Sequence, residues 1–226
     1  MNLLDKIKFL FSINWYCTLR INALLEFKTA IKLPIIAFGR FSTHSLKGKI
    51  IIDQEEISFG KITLGTAGVG IFDKKSATIL NIKGVLIFKG RANIGRGSAI
   101  SIDESSKLIL GNNFMITAQS SIICAGNKDI QFGNDNLLSW KISVMNADSH
   151  NIYLKGSNRL VNEAKDIVIG DRVWIGCNSL ILKGSVIPDD SIIAANSTIS
   201  SELKDVNCIY TGMPVSVLRK NIYWEE

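Results

Sequence analysis

Stepping by six from Ile169 reaches Ile175, Ile181, Ile187, Ile193 and Ile199, and every one of these positions is isoleucine. Serine stands four places after each of the middle four, at Ser179, Ser185, Ser191 and Ser197. A period of six is neither the 3.6 of a helix nor the alternation of a single strand. It is a repeat, and it predicts a parallel β-solenoid with three short flat faces per turn. Each face sends one apolar residue inward, and a small residue sits near each corner. The same register runs upstream through Ile82, Phe88, Ile94 and Ile100, then Leu110, Ile116 and Ile122, then Phe132, Leu138 and Val144.

Glycine follows the inward residue at Ile94-Gly95, Leu110-Gly111, Phe132-Gly133, Ile169-Gly170 and Ile175-Gly176, where a coil must turn tightly. The breaks near 104–108 and 124–131 read as small adjustments of coil length. Residues 149–166 are different: they are polar and carry no sixfold pattern, and a break of that length in a regular array marks function.

The first 49 residues hold eight basic and two acidic side chains, which is the whole net charge of +6; the remainder is balanced. A nucleic-acid-binding body would be basic on its folded face, so that class is set aside. Residues 1–32 read as helical, with Leu3, Ile7, Leu10 and Phe11 on one face and Leu24, Phe27 and Ile31 on another, and Pro34 ends the segment. Such a segment either caps the solenoid or lies on an anionic membrane surface. Its start loosely resembles a signal peptide, but the apolar run is short and no cleavage site follows, so it reads as retained. Cys17, Cys124, Cys177 and Cys208 are widely spaced and read as free thiols of a cytoplasmic protein. The expected organisation is a helical basic segment at 1–47, a solenoid over 48–212 with a functional loop at 146–166, and a closing helix and tail over 213–226.

Three stretches carry a family resemblance. They are Ile167 to Gly176 (IVIGDRVWIG) with its continuation to Ser197, Asn146-Ala-Asp-Ser-His150, and Thr211-Gly-Met-Pro to Arg219 with Asn221-Ile-Tyr-Trp224. Over roughly 48–224 the chain resembles the left-handed β-helix acyltransferases built on hexapeptide repeats, and within them the polysaccharide and sugar O-acetyltransferases. The resemblance implies an all-β left-handed parallel β-helix and transfer of acetyl from acetyl-CoA to a sugar hydroxyl, without a metal.

It also implies roles for residues. His150, one of only two histidines, would be the general base, since an imidazole titrates near working pH. Asp148 would accept its Nδ1 proton and fix the tautomer, or simply form a turn. Trp174 would position the acetyl group, and Asn146 and Trp140 would meet the acceptor, unless Trp140 only packs. Gly176, Lys183, Ala194 and Ala195 match the pantetheine groove, and Thr211, Arg219 and Lys220 match the nucleotide end, where cations suit phosphates. The groove would lie between subunits of a homotrimer, His150 of one chain facing the groove of the next. A γ-type carbonic anhydrase shares the fold but needs three histidines. An N-acetyltransferase acting on an amino-sugar nucleotide and a non-catalytic scaffold remain as alternatives.

Overall fold

The computed structural model describes residues 3–67, 69–73 and 75–225; the side chains of Leu3 and Lys6 lie outside the described residues. Three sheets run along the solenoid, and each of the six coils from Ile35 to Ile187 places one strand in each. The first face holds Ile35–Ala37, Ile62–Thr66, Ala92–Gly95, Phe114–Ala118, Leu137–Trp140, Trp174–Ile175, Ile192–Ile193 and Cys208–Thr211. The second holds Phe41–Leu46, Thr78–Ile82, Ala99–Ile102, Ser121–Cys124, Ser143–Met145, Leu180–Leu182 and Thr198–Ile199. The third holds Lys49–Ile52, Val85–Phe88, Lys107–Leu110, Ile130–Phe132, Ile167–Ile169 and Val186–Ile187. This is the expected left-handed parallel β-helix.

The sixfold register is the core. Leu64, Ile94, Ile116, Leu138, Ile175, Ile193 and Tyr210 align on the first face, and Leu80, Ile100, Ile122, Val144, Ile181 and Ile199 align on the second. All are buried. Burying each of these large apolar side chains contributes about 1.5–3 kcal/mol. The serines of the repeat are buried too and spend their hydroxyls on corner carbonyls: Ser185 Oγ donates to Leu182 O at 2.6 Å and Ser191 Oγ to Pro188 O at 2.7 Å.

The corner between the third and first faces is laced by a side-chain ladder. Asn112, Asn134, Asp171 and Asp189 each accept a backbone N–H from the coil below, at 3.0, 2.9, 2.6 and 2.8 Å. Glycine is needed beside it because coils stack so closely: a Cβ on Gly111 would lie 1.9 Å from Gly133 O. The left-handed backbone falls instead on Asn113, Asp135, Arg172 and Asp190, residue types of which Asn and Asp tolerate it best.

The two ends are closed differently. The segment expected to be helical over 1–32 holds helix α1 (Leu3–Ser12), helix α2 (Trp15–Asn22) and helix α3 (Phe27–Ala30). Asn14 starts α2 by accepting Cys17 N at 3.1 Å. Helix α2 then covers the open edge of the first coil. Asn22 Nδ2 donates to Ile35 O at 2.7 Å, and Thr18 Oγ1 accepts Ala37 N at 3.0 Å, so side chains satisfy the backbone that no strand pairs. The solenoid therefore opens at Ile35 rather than at 48, because 35–47 already supplies strands to two sheets.

At the far end the expected closing helix is absent. Ser216–Lys220 is a strand that turns back antiparallel on Cys208–Thr211. The last parallel strand leaves unpaired backbone groups, and pairing them outweighs the helical preference of a short tail. Cys17, Cys124 and Cys208 are buried and all four cysteines are free. No helix among the described residues is long and apolar enough to cross a membrane.

Candidate active site

The long break leaves the solenoid at the corner between the second and third faces, from Met145 to Ile167. It is an ordered arm. Tyr153 bridges Leu160 in antiparallel fashion, Val161 N donates to Ile152 O at 2.9 Å, and Leu154 N donates to Arg159 O at 3.0 Å. Gly156, at φ +84°, makes the tip turn. His150 is exposed at the root of this arm. Among the described residues no hydrogen bond uses its imidazole, and its backbone carbonyl accepts Asn162 Nδ2 at 2.7 Å.

Asp148 does not hold the imidazole. Its Oδ2 accepts Lys183 Nζ at 2.5 Å and Asn162 Nδ2 at 2.8 Å. These bonds keep the Asp148 carboxyl below the ordinary aspartate range, Lys183 being the larger cause and Asn162 the second. Lys183 also donates to Asn162 O at 2.9 Å. A single ammonium on the coil above thus joins both stems of the arm, and Asn162 passes that restraint to the backbone of His150. Lys183 sits at this corner and not with the other expected groove residues. Asn146 is fully buried, with Oδ1 accepting Ala125 N at 2.8 Å; it anchors the corner and faces no acceptor.

The remaining expected residues gather elsewhere. Gly176, Ala194, Ala195 and Thr211 stack at the corner between the first and second faces. Gly176 N donates to Ile193 O and Ala194 N to Tyr210 O, both at 2.8 Å. A Cβ on Gly176 would meet Ala195 N at 2.6 Å. Arg219 and Lys220 are exposed on the antiparallel strand that closes the first face, and Lys220 pairs with Asp205 at 2.7 Å.

Trp174 lies on the outer side of the first face, 36% exposed, with its Nε1 donating to Ser139 Oγ at 3.1 Å. The tail returns over it: Trp224 lies 6.1 Å from Trp174, ring centre to ring centre, and donates Nε1 to Arg172 O at 2.8 Å. Arg172 is itself clamped by both oxygens of Asp190. Trp140 packs edge-on against Phe72 at 6.3 Å.

The arm therefore stands at the corner opposite the face that carries Trp174. Trp174 follows His150 by twenty-four residues, a spacing that suggests neighbouring coils once the loop is discounted. Their coils are indeed adjacent, but the solenoid's cross-section lies between the two residues.

With this geometry in view, residues 166–201 match the family described as bacterial transferase hexapeptide (six repeats). The match spans these residues and no more of the chain. The chain is 29% identical over 121 residues to the polysialic acid O-acetyltransferase of Escherichia coli O1:K1 / APEC, a match covering 54% of this chain and 39% of that one. It is 26% identical over 205 residues to a 24.8 kDa protein in the cps region of Klebsiella pneumoniae, covering 89% and 86% of the two chains. The crystal structure of the polySia-specific acetyltransferase NeuO superposes with a TM-score of 0.64 at 21% identity, over 85% of this chain and 79% of that one, a likeness of fold. The resemblance to hexapeptide-repeat acyltransferases of the polysaccharide O-acetyltransferase branch is borne out.

Asn162 and Ser139 were not singled out in the sequence, and Trp224 entered only as the end of a stretch carrying the resemblance, with no role of its own. Asn162 lies in an aperiodic polar stretch where nothing distinguishes it from its neighbours. Ser139 occupies an ordinary outward position, and Trp224 lies past the end of the repeat.

Proposed function

We propose that the protein transfers acetyl from acetyl-CoA to a hydroxyl of a surface polysaccharide or its precursor, on the cytoplasmic side where acetyl-CoA is made. The observation that carries this reading is His150: an exposed imidazole at the root of an ordered arm, its backbone held through Asn162 and its ring left for substrate. The polysialic acid O-acetyltransferase relative supports a polysaccharide acceptor.

In this reading the neutral imidazole takes the hydroxyl proton while that oxygen attacks the thioester carbonyl. The tetrahedral intermediate then collapses, the C–S bond breaks, and the imidazolium returns the proton to the departing CoA thiolate. The products are an acetyl ester and CoA. Trp174 would flank the acetyl group, and the corner of Gly176, Ala194, Ala195 and Thr211 would take the pantetheine arm along its backbone.

Because His150 and Trp174 lie on opposite sides of one solenoid, the working site would form between chains. The arm of one protomer would meet the Trp174 face of the next, which a homotrimer of parallel solenoids achieves.

The test is acetyl transfer by the purified protein to a hydroxylated glycan. His150→Ala is expected to lower kcat by about 10²–10⁴-fold with its thermal unfolding unchanged. Near-normal turnover in a folded variant would refute the mechanism. Ester formation sensitive to mild base separates O-acetylation from acetylation of an amine.

A further inference from the structure

We propose that the helical end of the solenoid docks on an anionic lipid surface, holding the arm a fixed height above it. The helices divide their labour. Helix α2 buries Cys17, Thr18 and Ile21 against the first coil, so the closing of the core is complete without the outer surfaces of α1 and α3. Those surfaces stay apolar and exposed: Phe11 is 85% and Phe27 79% exposed, Ile7 and Leu10 are exposed with Phe11, and Trp15 at the start of α2 is exposed as well. Ile7, Leu10, Phe11 and Trp15 line a cavity of about 360 Å³. An apolar helix face next to neighbours with unfilled space between them calls for an occupant.

Charge identifies that occupant. Lys8, Arg20, Lys28 and Lys32 are exposed on the same segment, and residues 1–49 carry all of the chain's +6 excess. A second copy of this end would bring like charge against like charge. A bilayer of anionic lipids offers apolar depth for Phe11 and Leu10, an interfacial layer for Trp15 and Tyr16, and negative headgroups for the cations.

The fold then sets a height. The arm leaves the coil whose third-face strand is Ile167–Ile169, four strand steps from Lys49–Ile52 in the first coil. At about 4.8 Å per step the arm's root stands about 19 Å along the axis from the first coil. That height suits an acceptor sugar still carried on a lipid anchor. The choice of acceptor rests on the proposed acyl transfer; the docking does not.

The experiment is co-sedimentation of the full-length protein with phosphatidylglycerol–phosphatidylcholine vesicles and with phosphatidylcholine vesicles alone, at low and high salt. Binding is expected to the anionic vesicles and to weaken with salt. Phe11→Glu is expected to weaken it at least about tenfold, the loss of one buried aromatic side chain. The pair Lys8→Glu and Lys28→Glu should weaken it while leaving the apolar surface intact. Both variants should transfer acetyl to a soluble acceptor as the parent does.

Equal binding to both vesicle types, or binding unchanged in both variants, overturns the proposal. So does self-association that Phe11→Glu abolishes, since the occupant would then be a second copy. Normal vesicle binding without any acetyl transfer would refute the catalytic reading and leave the docking standing.

Discussion

At the corner after Trp174–Ile175 a single extra carbon on Gly176 would stand 2.6 Å from Ala195 N, whereas at the corner after Ser143–Met145 the chain departs for the whole of 146–166. In the last coils the first corner is built from small residues and backbone, at Gly176–Ser179 and Ala194–Ser197, whereas near the start of the solenoid eleven residues separate Thr66 from Thr78 at the same corner. The second accepts insertions: short ones at 103–106 and 125–129, the arm in the next coil, and only Lys183 to Ser185 in the coil above. The solenoid thus keeps this corner short and uniform over its last coils, where Gly176, Ala194 and Ala195 stack. It lets another vary, and that corner carries the candidate base. The variable corner is still ordered, because the regular coil above it supplies Lys183 to clasp both stems.

The strand Leu180–Leu182 joins these two corners, and its inward residue offers the strongest way to disturb both. Ile181→Ala is expected to cost about 2–5 kcal/mol in denaturant unfolding, raising the KM for acetyl-CoA and lowering kcat together. If only one of the two kinetic constants moves, the corners do not share this strand as a support.

Gly176→Ala acts on the uniform corner alone. The forced Cβ should cost about 1–3 kcal/mol of stability and raise the KM for acetyl-CoA, with kcat at saturation close to that of the parent. An unchanged KM would remove the groove from this corner.

Lys183→Met acts on the variable corner alone. An exposed ion pair contributes about 0–1 kcal/mol, so unfolding should barely shift. Releasing the arm should nevertheless lower kcat roughly tenfold to a hundredfold, with the KM for acetyl-CoA unchanged and partial rescue by Lys183→Arg. A raised KM with unchanged kcat would instead return Lys183 to the role of a CoA ligand.

The smallest effect is on pH. The Asp148 carboxyl titrates lower in the folded chain than in the unfolded chain, through Lys183 first and Asn162 second. Its contribution is therefore present above the unfolded aspartate pKa and is lost as pH falls through the lower folded value. Proteolytic nicking within the arm should stay constant from neutral pH down to the ordinary aspartate range and rise only below it. Asp148→Asn should nick faster at neutral pH.

Much of the fold was legible because the solenoid is quasi-one-dimensional: each inward residue answers to a period, and Ile169 to Ile199 report that period directly. The corner glycines were legible for a related reason, although the structure shows that stacking distance and not left-handed backbone demands Gly111 and Gly176. The candidate site was legible only in part. His150 and the groove residues could be marked by motif, but pairing Asp148 with His150 assumed that neighbours in sequence are neighbours in function. Lys183 reached Asp148 first, because a coil brings residues about three faces apart in sequence into direct contact. The tail misled for a similar reason: Val215 to Trp224 reads as a short helix locally, while the unpaired edge of Cys208–Thr211 decided its form.

By itself, then, the sequence determined which side chains point inward, where the coils turn, and where the repeat breaks, since alternation along a strand and a fixed number of residues per face leave no other burial of those isoleucines. Only the tertiary structure decided that the arm is clasped through Lys183 and Asn162, that Trp224 lies beside Trp174, and that the arm and Trp174 stand on opposite sides of the chain. Those contacts depend on the path of an aperiodic loop and on which corner it leaves from, and neither is written in a period of six.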